Sequence, residues 1–119
     1  MAKRSIIARL EDILQAIANI NLIAARTDAE AFGSDTIARL AIERCLEIVS
    51  EASRHIPSQQ TDRYPEVPWS NIRAIGNRLR HKYDQLDSLI IWNTATLSVP
   101  DLKPVIQAIM ASVESEESD

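Results

Sequence analysis

A net charge of −4 over 119 residues excludes a general nucleic-acid coat, which needs a basic surface. Nearly half the residues are apolar, only two are glycine, and Ala, Ile and Leu dominate, so composition favours one helical domain over a sheet. The single cysteine, Cys45, excludes an internal disulfide and a cysteine zinc cluster; set at helical spacing among apolar residues, it reads as a small core side chain.

Ile6, Leu10, Ile13, Ile17 and Ile20 recur at spacings of four and three, with Ile7 and Leu14 widening the stripe. The pattern predicts an amphipathic helix from about Lys3 to Ala25. Charged residues enter at once after Met1, so the N-terminus does not read as a signal peptide. No apolar run approaches the roughly 18 residues of a membrane span. A soluble, cytoplasmic protein without a membrane partner is expected. So wide an apolar stripe hints at a homodimer, because large exposed apolar patches are unusual on monomers.

A turn follows near Thr27 and Asp28, and Gly33 offers a position for positive φ. Ser34 or Asp35 can cap a second helix. Ile37, Leu40, Ala41, Cys45, Ile48, Val49 and Ala52 mark its expected buried face. It runs to about His55 and stops before Pro57. His55 reads as a helix-end cation, since no metal-ligand partners lie at suitable spacing. Pro57 to Pro68 is expected to be a loop, with three prolines in twelve residues.

Ser70 is a plausible N-cap for a third helix from Asn71 onward, with Ile72, Ile75, Leu79 and Leu86 inward. Asp87 can cap a fourth, Ser88 to about Leu97, packing through Leu89, Ile91, Trp92 and Leu97. Ser98-Val99-Pro100-Asp101 fits a capping box for a fifth. That helix carries Leu102, Val105, Ile106, Ile109, Met110 and Val113. The acidic tail, 114–119, is expected to fray. The sum is an all-α, up-and-down bundle of about five helices in one domain, 1–119.

The chemistry concentrates in the third helix. Residues 77–83 include Asn77, Arg78, Arg80, His81, Lys82 and Tyr83. Asn77 and His81 are four apart and share a helix face, with Arg78 within reach of it. A guanidinium can hold a phosphate bidentately, and a histidine titrating near neutrality can move a proton. RNA offers both targets side by side, a 2′-hydroxyl nucleophile and a phosphodiester. A ribonuclease without metal or cofactor can be built from His81 as acid and base, with Arg73, Arg78 and Arg80 as candidate phosphate-binding groups. Asn77 could fix the imidazole tautomer or bond the substrate. A solvated helix end with cations suited to the dipole is the plainer alternative.

From Arg9 to about Ile109 the chain resembles the HepT-like family of HEPN proteins. The marks are Arg9-Leu10-Glu11-Asp12-Ile13-Leu14, Glu43 to Ala52, Tyr64-Pro65-Glu66-Val67-Pro68-Trp69, Ile75 to Tyr83, Ile91-Trp92 and Val99-Pro100-Asp101-Leu102-Lys103. The resemblance implies a HEPN-like bundle that dimerises, two motifs lining one cleft. It implies an RNA-cleaving toxin of a type VII toxin–antitoxin pair. The partner would be a minimal (MNT-like) nucleotidyltransferase antitoxin that silences the toxin by attaching AMP to a tyrosine. The family motif is Arg, four residues, His, one residue, Tyr, which places the catalytic His at His81 and the modified Tyr at Tyr83. Gly76 stands where the motif has Arg. That departure leaves open a non-catalytic module that binds nucleotide, RNA or the nucleotidyltransferase.

Overall fold

Helix α1 (Ala2–Ala24) turns the isoleucine stripe inward: Leu10, Ile13, Ile17 and Ile20 are buried, and Ile6, Ile7 and Leu14 are partly so. The computed structural model describes residues 2–82 and 87–118, with side chains over 5–80 and 87–116. Helix α1 packs on α3 (Thr36–Ser53) and on α7 (Lys103–Ser118), and α3 packs on α5 (Trp69–Lys82). The long helices thus line up as α7, α1, α3, α5, an all-α bundle as expected. Because α3 lies between two neighbours, its buried set is broad: Ile42, Cys45, Leu46, Val49, Ser50, Ala52 and Ser53.

Two one-turn helices sit in segments expected to be loop, α2 (Ala29–Phe32) and α4 (Ser58–Thr61). Four residues are too few to show a period. Asp28 caps α2 through its carboxylate, 2.8 Å from the Ala31 N–H. This seats Phe32 in the core, its ring 5.2 Å from that of Trp92. Of the two capping candidates for α3, the structure uses Asp35, which accepts from the Ala38 N–H at 3.0 Å. Gly33 has φ −59°, so no positive φ is needed there.

After Asp87, whose carboxylate accepts from the Leu89 N–H at 2.7 Å, the chain stays helical in hand from α6 (Ser88–Asn93) to α7. The expected break and capping box at Ser98 do not form. Instead a π-turn spans Thr94–Ser98 and a 3₁₀ turn spans Pro100–Leu102, and Val99 keeps α-helical angles. Pro100 explains this: it has no N–H to offer the Thr96 carbonyl, and its ring would crowd that oxygen. The Val99 N–H therefore reaches back to the Thr94 carbonyl at 2.9 Å. The hydroxyls of Thr94 and Thr96 bond the Ile90 and Trp92 carbonyls, both at 2.8 Å. Helix α7 carries on to Ser118.

Four apolar residues expected to be buried are not. Ile37 and Leu40 are 76% and 59% exposed, and Leu89 and Leu97 also face out, as does Ile90. Periodicity identified an apolar stripe but not where along each helix a neighbour would cover it. Arg39 ties the first turns of α3 and α6 together, bonding Glu43 at 2.7 Å and the Ser88 hydroxyl at 2.9 Å. Ile37 and Leu40 therefore flank the same junction as Leu89 and Ile90.

Replacing Asp35 with Ala should lower unfolding free energy by about 1 kcal/mol, the usual worth of an N-cap, in a urea titration. Ser34→Ala, which loses only an exposed 3.3 Å bond to the Ala31 carbonyl, should stay within about 0.5 kcal/mol of the parent.

Candidate functional site

Helix α5 begins two residues earlier than its sequence suggested. Its first helical bond runs from the Ile72 N–H to the Pro68 carbonyl, so Ser70 lies inside the helix and does not cap it. The indole of Trp69 fixes this start: it is buried and donates to the Tyr64 carbonyl at 3.1 Å. The preceding Tyr64–Pro68 segment is thereby held to the bundle.

Ile72, Gly76 and Leu79, spaced four and three apart, form the face that α5 presents to the bundle, and all three are buried. Gly76 meets Ser50 of α3. The Ser50 hydroxyl is 1% exposed, donates to the Arg73 carbonyl at 2.9 Å and accepts from the Gly76 N–H at 3.0 Å. One turn on, Arg54 donates from Nε and Nη2 to the same Arg73 carbonyl, at 3.3 and 3.0 Å. A β-carbon at position 76 would lie 3.1 Å from Ser50 Oγ and 3.2 Å from Arg80 Nη1. Glycine at 76 is thus required by a close helix crossing, and a side chain there would disturb both groups.

The polar residues of α5 divide between two sides. Arg73 and Asn77 line one open concavity with Arg54, Ser70 and Ala74. Arg78, although adjacent to Asn77 in sequence, lines a groove of about 600 Å³ on the other side, with Asn71, Glu66, Ser98 and Asp101. The π-turn contributes Thr94 and Ser98 to that groove. Arg80 is exposed, on the Arg73 side by helical register, with its guanidinium over Gly76. The ion pairs among the described residues, Arg39–Glu43 and Glu51–His55, include none of Arg73, Arg78 and Arg80. His81 occupies the last turn of α5, one turn beyond Asn77. Its side chain lies outside the described residues, as do Leu86 and Tyr83 altogether.

Sequence reasoning missed Ser50 and Arg54. A serine at an inward position of α3 and the glycine at an inward position of α5 are the available signal, but their pairing needs the helix order. Burial pushes the Cys45 thiol above its usual range, offset in part by Arg44; it lies in the core, away from this face. Among the described residues no three His, Cys, Asp or Glu side chains gather to hold a metal ion.

The family model described as ribonuclease HepT-like matches residues 13–109, a stretch that contains all of α3 and α5. The chain belongs to the HepT-like ribonuclease family. It is 30% identical over 119 residues to the Methanocaldococcus jannaschii protein named "Putative RNase MJ1216", covering all of this chain and 98% of that one. It is 36% identical over 101 residues to "Probable ribonuclease HepT" of Thermococcus cleftensis, covering 85% of this chain and 92% of the relative. No solved structure matches the chain.

The close crossing makes a specific energetic prediction. Ser50→Ala should cost about 1–3 kcal/mol, since the buried Gly76 N–H loses its partner. Gly76→Ala should destabilise the parent despite a helix-propensity gain of about 1 kcal/mol, because Ser50, buried and held by two bonds, cannot retreat. In the Ser50→Ala background the same change should become neutral or stabilising. A double-mutant cycle by chemical denaturation reads this coupling.

Proposed function

We propose that this HepT-like chain is an endoribonuclease toxin that cleaves RNA without a metal, with His81 as its acid and base. The observation that carries the reading is the family match across 13–109, which includes the helix bearing His81. The names of the relatives, RNase and ribonuclease HepT, point the same way. The geometry supports it: a net acidic protein sets Arg54, Arg73, Asn77 and Arg80 along one side of α5. Guanidinium groups there can neutralise a phosphodiester as charge builds on its oxygens.

In the proposed step His81 takes the proton of a ribose 2′-hydroxyl. The 2′-oxygen bonds to the adjacent phosphorus, and the bond to the 5′-oxygen of the next nucleotide breaks. That oxygen receives a proton from the imidazolium, leaving a 2′,3′-cyclic phosphate and a 5′-hydroxyl. Arginine charge and an imidazole suffice for this chemistry.

Regulation follows from the same motif. An MNT-like nucleotidyltransferase antitoxin would transfer AMP from ATP to the Tyr83 hydroxyl, releasing pyrophosphate. The bulky phosphodiester so formed would bring negative charge to a basic RNA-binding face. The protein works in the cytoplasm as a homodimer in this reading. Ile37, Leu40, Leu89 and Ile90, exposed around one junction, supply apolar surface for a second copy. Among the described residues no helix is long and apolar enough to cross a membrane.

A second reading, a module that binds RNA, nucleotide or the nucleotidyltransferase without turnover, draws on one observation. Position 76 holds no arginine and has no room for one without displacing Ser50 or Arg80.

His81→Ala should lower cleavage of single-stranded RNA by at least about 10²-fold, the usual worth of an acid–base group. A chelator should leave the rate unchanged, and a 2′-deoxy substitution at the scissile nucleotide should block it. A wild-type protein that neither cleaves RNA nor slows growth alone would sink the nuclease reading in favour of the binding module. Mass spectrometry after co-expression with a neighbouring nucleotidyltransferase should find AMP on Tyr83; a stable complex with bare Tyr83 would count against the regulatory step.

A further inference from the structure

The remaining question on α5 is which guanidinium meets the scissile phosphate. Arg54 is committed to the Arg73 carbonyl through two of its nitrogens. Arg78 lies in the groove that also holds Glu66 and Asp101, whose carboxylates would oppose a phosphate. Arg73 shares a side with Asn77, but it stands eight residues before His81, about 12 Å along the helix axis.

Arg80 differs from all three. It adjoins His81 in sequence, is exposed, and has no carboxylate partner among the described residues. Long side chains on a helix lean back toward its N-terminus, over the residue four positions earlier. For Arg80 that residue is Gly76. Nη1 of Arg80 stands 3.2 Å from the point where a β-carbon of residue 76 would be. Gly76 is therefore a seat for the Arg80 guanidinium as well as a contact for Ser50. A β-carbon at 76 would press on the guanidinium and shift it from this position.

We infer that Arg80 is the phosphate-binding arginine of this site and that Gly76 is the residue that lets its guanidinium lie along the helix. The cation absent at position 76 is supplied from one turn further on, to the stretch of helix surface beside it. This rests on the RNA-binding reading of α5 and specifies which charge serves it. It also gives the glycine a role in the site that packing against Ser50 alone does not require.

The test uses the full-length protein, an RNA oligonucleotide for cleavage, and the same sequence fully 2′-O-methylated for binding without turnover. Arg80→Ala, a change at an exposed position, should weaken binding about tenfold and reduce the salt slope by about one counterion. It should lower cleavage by about 10²-fold. Arg80→Lys should recover the salt slope but little of the cleavage, because an ammonium lacks the planar fork. Lys103→Ala, at the start of α7 and outside the site, removes one charge as a control and should change neither reading. Ser50→Ala/Gly76→Ala should fold, having room for the methyl group beside residue 50, yet bind more weakly than the parent, though better than Arg80→Ala, because the methyl still shifts the guanidinium. Parent-like binding and cleavage by Arg80→Ala would overturn the inference and leave the nuclease reading standing. Arg80-dependent binding with no cleavage by the parent would do the reverse. A parent that neither binds nor cleaves would remove both.

Discussion

Much of the candidate site depends on a single buried hydroxyl. Ser50 accepts from the Gly76 N–H and donates to the Arg73 carbonyl, so one side chain of α3 fixes α5 in both height and rotation. A buried hydroxyl with both capacities used contributes modestly by itself, but leaving its partners unmatched is expensive. The contact works only because position 76 has no side chain. Helix α5 comes close enough for its backbone to be read by α3, and its remaining faces are thereby aimed. Arg73 and Asn77 turn to one side, Arg78 to the other, and Arg80 is left lying over the glycine.

The second constraint is Pro100. Its missing N–H converts what would be a helix boundary into a π-turn and a 3₁₀ turn, and the Thr94 and Thr96 hydroxyls add bonds to the Ile90 and Trp92 carbonyls one turn back. A π-turn widens a helix locally and often marks a site where side chains must be re-aimed. Here Thr94 and Ser98 line the groove opposite Asn71 and Arg78, and Val99 stays buried beneath it. The groove on that side of α5 is thus shaped by a proline about twenty residues away in sequence.

Charge is arranged on a finer scale than composition reveals. A chain with net charge −4 repels nucleic acid on average. Yet the described surface around Arg54, Arg73 and Arg80 holds three guanidinium groups, and none of them is in an ion pair among the described residues. Arginine charge concentrated where the end of α3 meets α5 on an acidic protein favours local over general attraction of anions, because screening confines each charge to about 10 Å.

The long helices were legible from the sequence because their apolar residues repeat at the helical period, as Leu10, Ile13, Ile17 and Ile20 do. Asp35 and Asp87 announced their caps for a local reason, a carboxylate placed to accept an N–H two or three residues on. The cluster from Asn77 to Tyr83, and the family it belongs to, could also be read without coordinates. What could not be read depended on neighbours distant in sequence. Ile37, Leu40 and Leu89 fit the apolar stripes but are left exposed. Ser98 has the pattern of a cap, but Pro100 shifts the hydrogen-bond register and the chain never leaves helical geometry. Gly76 read as an arginine lost from a motif. Only the crossing of α3 over α5 showed that glycine is demanded there by a serine 26 residues earlier, since a backbone contact between helices leaves no periodic trace in either one.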